Sequence, residues 1–178
     1  MSRVFVITGP SGVGKGTLIR GLRERMPELE LSVSATTRPP RPGEEDGVDY
    51  HFLDPAAFQQ AVERGEFVEH AEYSGNRYGT LRSELQRHLD AGAPVVLEIE
   101  VQGARQVRAA MPEAVQVFIA PPSREALRAR LIGRGTDDGE QVEARLKVAE
   151  QELEAQGEFG YVVVNDRLED AVEALTAI

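Results

Sequence analysis

Arg3 to Ile7 (Arg-Val-Phe-Val-Ile) is a short apolar run that reads as a strand, and Gly9-Pro10-Ser11-Gly12-Val13-Gly14-Lys15 follows it at once. Thr17–Met26 then carries a helical pattern. A strand, a glycine-rich turn ending in lysine, and a helix together make a phosphate-binding loop. The glycines let backbone N–H groups curl around a phosphate chain, and the helix N-terminus adds partial positive charge at the same point. Lys15 is one of only two lysines in the chain, the other being Lys147. A flexible point charge suits the outer phosphates better than a planar guanidinium. The general pattern has Ser or Thr directly after the lysine, where its hydroxyl ligates Mg²⁺. Here Gly16 takes that place and Thr17 comes next.

The same alternation continues along the chain. Leu31–Ser34, Val95–Ile99, Val115–Ile119 and Tyr161–Val164 read as further strands. Leu81–Ala91, Ala104–Ala110, Arg124–Ile132, Glu140–Gln156 and Leu168–Leu175 read as helices, with Ser123 placed to cap the third of them. This predicts an α/β fold with a mostly parallel, five-stranded core sheet covered by helices on both faces. The stretch from Ala35 to about Thr80 breaks the pattern. Pro39-Pro40-Arg41-Pro42-Gly43 is a loop, Asp49–Leu53 alternates as a strand, Asp54-Pro55 opens a short helix through Arg64, and Glu66–Tyr73 is strand-like. It reads as an inserted α+β lobe. Gly133-Arg134-Gly135-Thr136-Asp137-Asp138-Gly139 is a second, smaller insertion with hinge-like glycines. The 178 residues therefore predict one domain: a core of 1–34, 81–132 and 146–178, a lobe of 35–80 and a lid of 133–145. Two mobile lobes closing over two substrates would exclude water from a phosphoryl transfer.

Composition narrows the function classes. There is no cysteine, which removes disulfides, thiolate metal sites and cysteine nucleophiles. The net charge of −10 argues against broad nucleic-acid or anionic-membrane binding. An acidic chain that binds phosphates must concentrate its arginines locally. No apolar run approaches the ~20 residues of a membrane span, and the N-terminal apolar run is too short for a signal peptide. The expectation is a cytoplasmic protein without nucleic-acid, membrane or obligate protein partners. His51, His70 and His88 show no metal spacing.

The remaining motifs are Ser34-Ala35-Thr36-Thr37-Arg38-Pro39-Pro40-Arg41-Pro42-Gly43-Glu44, Gly47-Val48-Asp49-Tyr50, Glu69-His70-Ala71 and Gly75-Asn76-Arg77-Tyr78-Gly79-Thr80. Further on come Glu98-Ile99-Glu100-Val101-Gln102-Gly103, Ile119-Ala120-Pro121-Pro122-Ser123, Gly133-Arg134-Gly135-Thr136 and Val164-Asn165-Asp166. In this order, with the phosphate loop, they strongly resemble guanylate kinase over nearly the whole chain. The resemblance implies the three-layer P-loop NTPase fold. It also implies Mg²⁺-dependent transfer of the ATP γ-phosphate to GMP, giving ADP and GDP, in guanine nucleotide synthesis and recycling.

The resemblance assigns ATP binding to Gly9, Pro10, Ser11, Gly12, Val13, Gly14, Lys15, Gly16 and Thr17, and the adenine pocket to Asn165 and Asp166. It assigns the GMP phosphate to Ser34, Arg38, Arg41, Tyr50 and Tyr78. Those residue types suit that task, because arginine pairs bidentately with phosphate and a tyrosine hydroxyl donates to it. Glu69 and Thr80 would read the base. A carboxylate accepts from guanine N1–H and N2 together, and a hydroxyl donates to O6; an exposed strand glutamate and a helix-capping threonine are the alternatives. Glu98 and Glu100 end an apolar strand, where alternation puts both on one face. Glu100 either orders Mg²⁺ water or touches the guanine amino group, and Thr17 is the other candidate at the metal. Arg130, Arg134 and Arg145 match positions that meet the transferring phosphates. With Lys15 and Arg38 they complete the predicted catalytic set. A non-catalytic phosphopeptide-binding domain on the same framework is the competing reading, which the intact phosphate loop disfavours.

Overall fold

The computed structural model describes residues 4–10, 12–73, 75–132 and 139–178. In chain order the elements are β1 (Val4–Thr8), α1 (Lys15–Arg25), β2 (Glu30–Leu31), β3 (Ala35–Thr36), β4 (His51–Phe52) and α2 (Pro55–Glu63). Then come β5 (Phe67–Tyr73), β6 (Asn76–Leu81), α3 (Arg82–Asp90), β7 (Val95–Glu98), α4 (Val101–Ala110) and β8 (Val115–Ala120). The chain ends with α5 (Arg124–Ile132), α6 (Gly139–Glu154), a 3₁₀ turn (Ala155–Glu158), β9 (Tyr161–Val164) and α7 (Leu168–Thr176). Among the described residues no helix is long and apolar enough to cross a membrane.

Two sheets result. The five-stranded core sheet has the order β2-β7-β1-β8-β9, with β2–β7 and β8–β9 parallel. Its central strand β1 is buried at Val4, Val6 and Ile7, as a parallel strand covered on both faces requires. The sequence expectation of an α/β fold around five mostly parallel strands is realised. The second sheet, β4-β3-β6-β5, lies in the stretch expected to be an inserted lobe.

The chain divides into two compact units. The first comprises Met1–Phe5, Leu29–Leu97 and Gln102–Ala114; the second comprises Val6–Glu28, Glu98–Val101 and Val115–Ile178. The first has its own small core of Ala35, Phe58, Ala61 and Phe67, with the Phe58 and Phe67 rings stacked 4.5 Å apart. Helix α2 starts cleanly beside it: Asp54 accepts from the Ala57 N–H at 2.7 Å, and Pro55 needs no partner for a missing N–H. In the second unit, Leu127, Leu131 and Ala149 join α5 to α6, and Ser123 caps α5 by accepting from Ala126 N–H at 3.0 Å.

The strand expected at Leu31–Ser34 differs from the observed one. β2 covers only Glu30–Leu31. The Ser32 N–H still reaches the Val96 carbonyl at 2.9 Å, but the Val33 N–H turns to the Glu84 carboxylate at 3.1 Å. A side chain interrupts the ladder, and the Ser34 carbonyl then accepts from His51 N–H. Strand β6 was hidden in the sequence, because Asn-Arg-Tyr-Gly-Thr-Leu has no apolar alternation and its glycine reads as a breaker.

Candidate active site

The second unit carries the phosphate loop. Gly14 ends it in the left-handed conformation (φ 94°) and caps α1, which begins at Lys15. That backbone conformation selects glycine. A Cβ on Gly9 would stand 2.6 Å from the Ile119 carbonyl oxygen, so the loop leaves β1 pressed against β8. The Val13 carbonyl accepts from Asn165 Nδ2 at 2.7 Å and from Arg130 Nη1 at 3.1 Å. Arg130 Nη2 also donates to the Asn165 carbonyl at 3.2 Å. The loop is thus tied to α5 and to the end of β9, and the Arg130 guanidinium is anchored beside it. Asn165, expected near the adenine, has its amide buried on the loop. Gly16 faces open space, so its lack of a side chain is not forced by packing. Thr17 is exposed in the first turn of α1.

Three charged groups of this unit, from α1, from the connection between β7 and α4, and from α6, meet beside the loop. Lys15 Nζ lies 3.8 Å from Glu100 Oε1. Glu152, on α6, lies beside Glu100. Burial, with the Glu100 charge beside it, holds the Glu152 carboxyl well above the usual carboxylate range, and Lys15 only partly offsets this. Glu152 Oε2 is buried and has no hydrogen-bond partner among the described residues. Nothing in the local sequence marks Glu152, which lies among glutamates of a polar helix. β7 ends at Glu98, yet the Ile99 N–H still reaches the Ile7 carbonyl at 3.3 Å, and Glu98 is exposed, Ile99 buried and Glu100 half-buried. Among the described residues no cluster of three or more His, Asp or Glu side chains could hold a metal by itself. Two carboxylates, one with an orphaned buried oxygen, nevertheless form a donor set that suits a hard cation taking its other ligands from phosphate and water.

The first unit carries the residues expected to read the base and to hold the acceptor phosphate. β5 and β6 pair antiparallel, with Phe67 opposite Leu81 but Glu69 opposite Thr80. The register shift between them is a bulge, and it turns Glu69 onto Thr80. Thr80 Oγ1 donates to Glu69 Oε1 at 2.8 Å, and both residues are buried, Glu69 at 4% exposure. The helix-capping alternative for Thr80 is not realised, since Leu81 occupies the N-cap of α3. Gln106 on α4 clamps the next residue, accepting from His70 N–H at 2.9 Å and donating to its carbonyl at 2.7 Å.

Arg38 is held by Glu44, its Nη1 and Nη2 each donating to one carboxylate oxygen at 2.9 Å. Its guanidinium carbon lies 5.1 Å from the Tyr50 ring centre, and the Tyr50 and Tyr78 rings are 6.2 Å apart. The Arg38 guanidinium, with the Arg41 N–H, holds the Glu44 carboxyl down to about 2. A bidentate carboxylate occupies Arg38 in the geometry that a phosphate would use. Arg41 is exposed on the same loop. Glu84 at the start of α3 binds Val33 N–H, His51 Nε2 at 3.1 Å, His88 Nε2 at 3.0 Å and Arg87. It thereby fixes the neighbours of Ser34 and Tyr50, a role no sequence motif announced.

Of the other sequence-predicted residues, Arg145 lies half-buried on α6. Ser11 and Arg134 fall outside the described residues, as does most of the expected lid loop. Arg124 and Arg128, read as solvated, make surface ion pairs across to α6, with Glu150 at 3.8 Å and Glu143 at 3.0 Å.

Comparison with known proteins bears on this arrangement. The guanylate kinase family model matches residues 1–178. A guanylate kinase of Mycobacterium bovis is 53% identical over 180 residues, spanning 100% of this chain and 86% of that protein. One from Synechococcus is 55% identical over 175 residues, 98% of this chain and 92% of the other. Among solved structures, the crystal structure of guanylate kinase from Anaplasma phagocytophilum superposes with a TM-score of 0.76 at 35% identity, over 98% of this chain and 82% of that one. With the phosphate loop and the buried Glu69–Thr80 pair in place on this fold, the chain belongs to the guanylate kinase family.

Proposed function

We propose that this protein transfers the γ-phosphate of ATP to GMP, giving ADP and GDP, and that dGMP is also accepted. One observation carries the choice of acceptor: Glu69, 4% exposed, is turned by a strand bulge onto Thr80. A buried carboxylate needs donors, and guanine N1–H and N2 supply two side by side. Adenine has neither donor there and could not make those two bonds. No residue named here requires a ribose 2′-hydroxyl.

In the reaction an oxygen of the GMP phosphate attacks the γ-phosphorus. The new O–P bond forms as the bond to the β-phosphate oxygen breaks, and that oxygen leaves with the electron pair on ADP. The nucleophile is already ionised, so no general base is required. The protein's task is positioning and charge stabilisation. Lys15 and the loop N–H groups take the β- and γ-phosphates. Arg130, with Arg134 and Arg145, balances the equatorial charge of the transferring group. Ser34, Arg38, Arg41, Tyr50 and Tyr78 hold the acceptor phosphate, with Arg38 exchanging Glu44 for it. Glu100 and Thr17 are the residues that would hold Mg²⁺, which when bound neutralises charge on the phosphate oxygens. We assign 35–80 as the GMP-binding lobe and 133–145 as the lid, in a cytoplasmic enzyme.

The test is ADP release from ATP with GMP, dGMP, AMP, UMP and CMP, run beside Glu69→Gln. Turnover is expected with GMP and dGMP alone. Loss of two charge-assisted hydrogen bonds should lower kcat/KM for GMP by about 10²–10⁴-fold in the variant. Turnover of AMP at a comparable rate, or an unaffected variant, would refute the assignment.

A further inference from the structure

We propose, resting on the reading that Glu69 accepts from the guanine base, that Gln106 is a positioning residue for base recognition. Its side chain holds β5 in the register that sets Glu69 against Thr80.

β5 is an edge of the second sheet, so one side of its backbone has no neighbouring strand. From Phe67 to Glu69 it advances two residues, while β6 moves only one, from Leu81 to Thr80. Without that bulge the ladder would place Glu69 opposite Gly79 and His70 opposite Tyr78. Side chains alternate with a period of two, so the slip would also turn Glu69 to the face away from the Thr80 side chain.

The backbone groups of β6 distinguish the two registers. The Arg77 carbonyl accepts from Thr37 N–H, on the β3 side. By alternation Gly79, paired with Ala35, also turns its N–H and carbonyl toward β3, and Tyr78 and Thr80 turn theirs toward β5. In the observed register Ala71 and Glu69 stand opposite those two residues, and His70 faces outward. Gln106 on α4 takes both outward groups, accepting from His70 N–H at 2.9 Å and donating to its carbonyl at 2.7 Å. One side-chain amide thus supplies the pair of bonds that a further strand would have made. In the slipped register the same two groups of His70 would face β6, and Gln106 would lose both bonds. The clamp is therefore compatible only with the bulged strand.

Gln106→Leu removes both bonds at nearly constant size, and Gln106→Glu keeps an acceptor without the donor. Steady-state kinetics with GMP and with IMP, beside the KM for ATP, test the assignment. IMP keeps N1–H and O6 but lacks the 2-amino group, so a displaced Glu69 costs it one contact where GMP loses two. At about tenfold per contact, kcat/KM in Gln106→Leu should fall about 100-fold for GMP and about tenfold for IMP. The preference for GMP then narrows about tenfold, with KM for ATP unchanged, and Gln106→Glu lies between. An unchanged GMP-to-IMP ratio, whether both rates fall together or neither does, overturns the proposal. A wild type that does not prefer GMP to IMP overturns the reading of Glu69 itself, and this one with it. Should Gln106→Leu fail to melt cooperatively, Gln106→Glu is judged by the same ratio.

Discussion

At the scale of single residues, Gly79 shows how backbone contact serves recognition. A Cβ there would lie 2.6 Å from Phe67 Cδ1 and 2.9 Å from the Glu69 carbonyl oxygen. The Phe67 ring belongs to the small core of its unit and is stacked on Phe58, so it has little room to retreat. Gly79→Ala is expected to cost about 1–3 kcal/mol by overpacking. Because the strain falls on β5 at Glu69, KM for GMP should rise while the affinity for ATP does not change. Denaturant unfolding and the two Michaelis constants check this; equal effects on both nucleotides would mean a general loss of structure.

At the scale of elements, α3 is tied to its surroundings by one buried carboxylate. Burial pushes Glu84 up, but the Val33 N–H, His51, His88 and Arg87 outweigh it and hold the group down to about 2, against an ordinary 4.5. The sign follows. A folded-state value below the unfolded one means the ionised group stabilises the fold above about pH 4.5, and this contribution is lost as pH falls toward 2. Glu84→Gln should therefore destabilise the protein at neutral pH, and the gap to the wild type should narrow below pH 4.5. Urea midpoints from pH 7 to pH 3 measure it. A gap that does not vary with pH would show that Glu84 acts by shape and not by charge. The same element explains the short β2: the amide that would have extended the ladder is used by α3.

At the scale of the molecule, the residues proposed to read guanine belong to one compact unit and the phosphate loop to the other. Binding of the two nucleotides should therefore be separable by mutation even though turnover needs both. Lys15→Met is expected to weaken ATP binding and abolish transfer while leaving the dissociation constant for GMP within about twofold, since Lys15 faces Glu100 whereas Glu69 and Thr80 bond each other. Equilibrium binding of each nucleotide alone decides it; a large loss of GMP affinity would contradict the division. Much of this was legible in the chain. The phosphate loop, four of the five core strands and the motifs that carry the family resemblance are local patterns, in which backbone conformation and hydrophobic period follow from neighbours in sequence. Neither the pairing of Glu69 with Thr80 nor that of Glu100 with Glu152 could be read that way. The first depends on a bulge that shifts strand register by one residue, and the second on which turn of a polar helix faces the loop. Local residues determine what an element is. Which side chains it brings together is decided by the packing of elements far apart in sequence, where one step of register reverses a face.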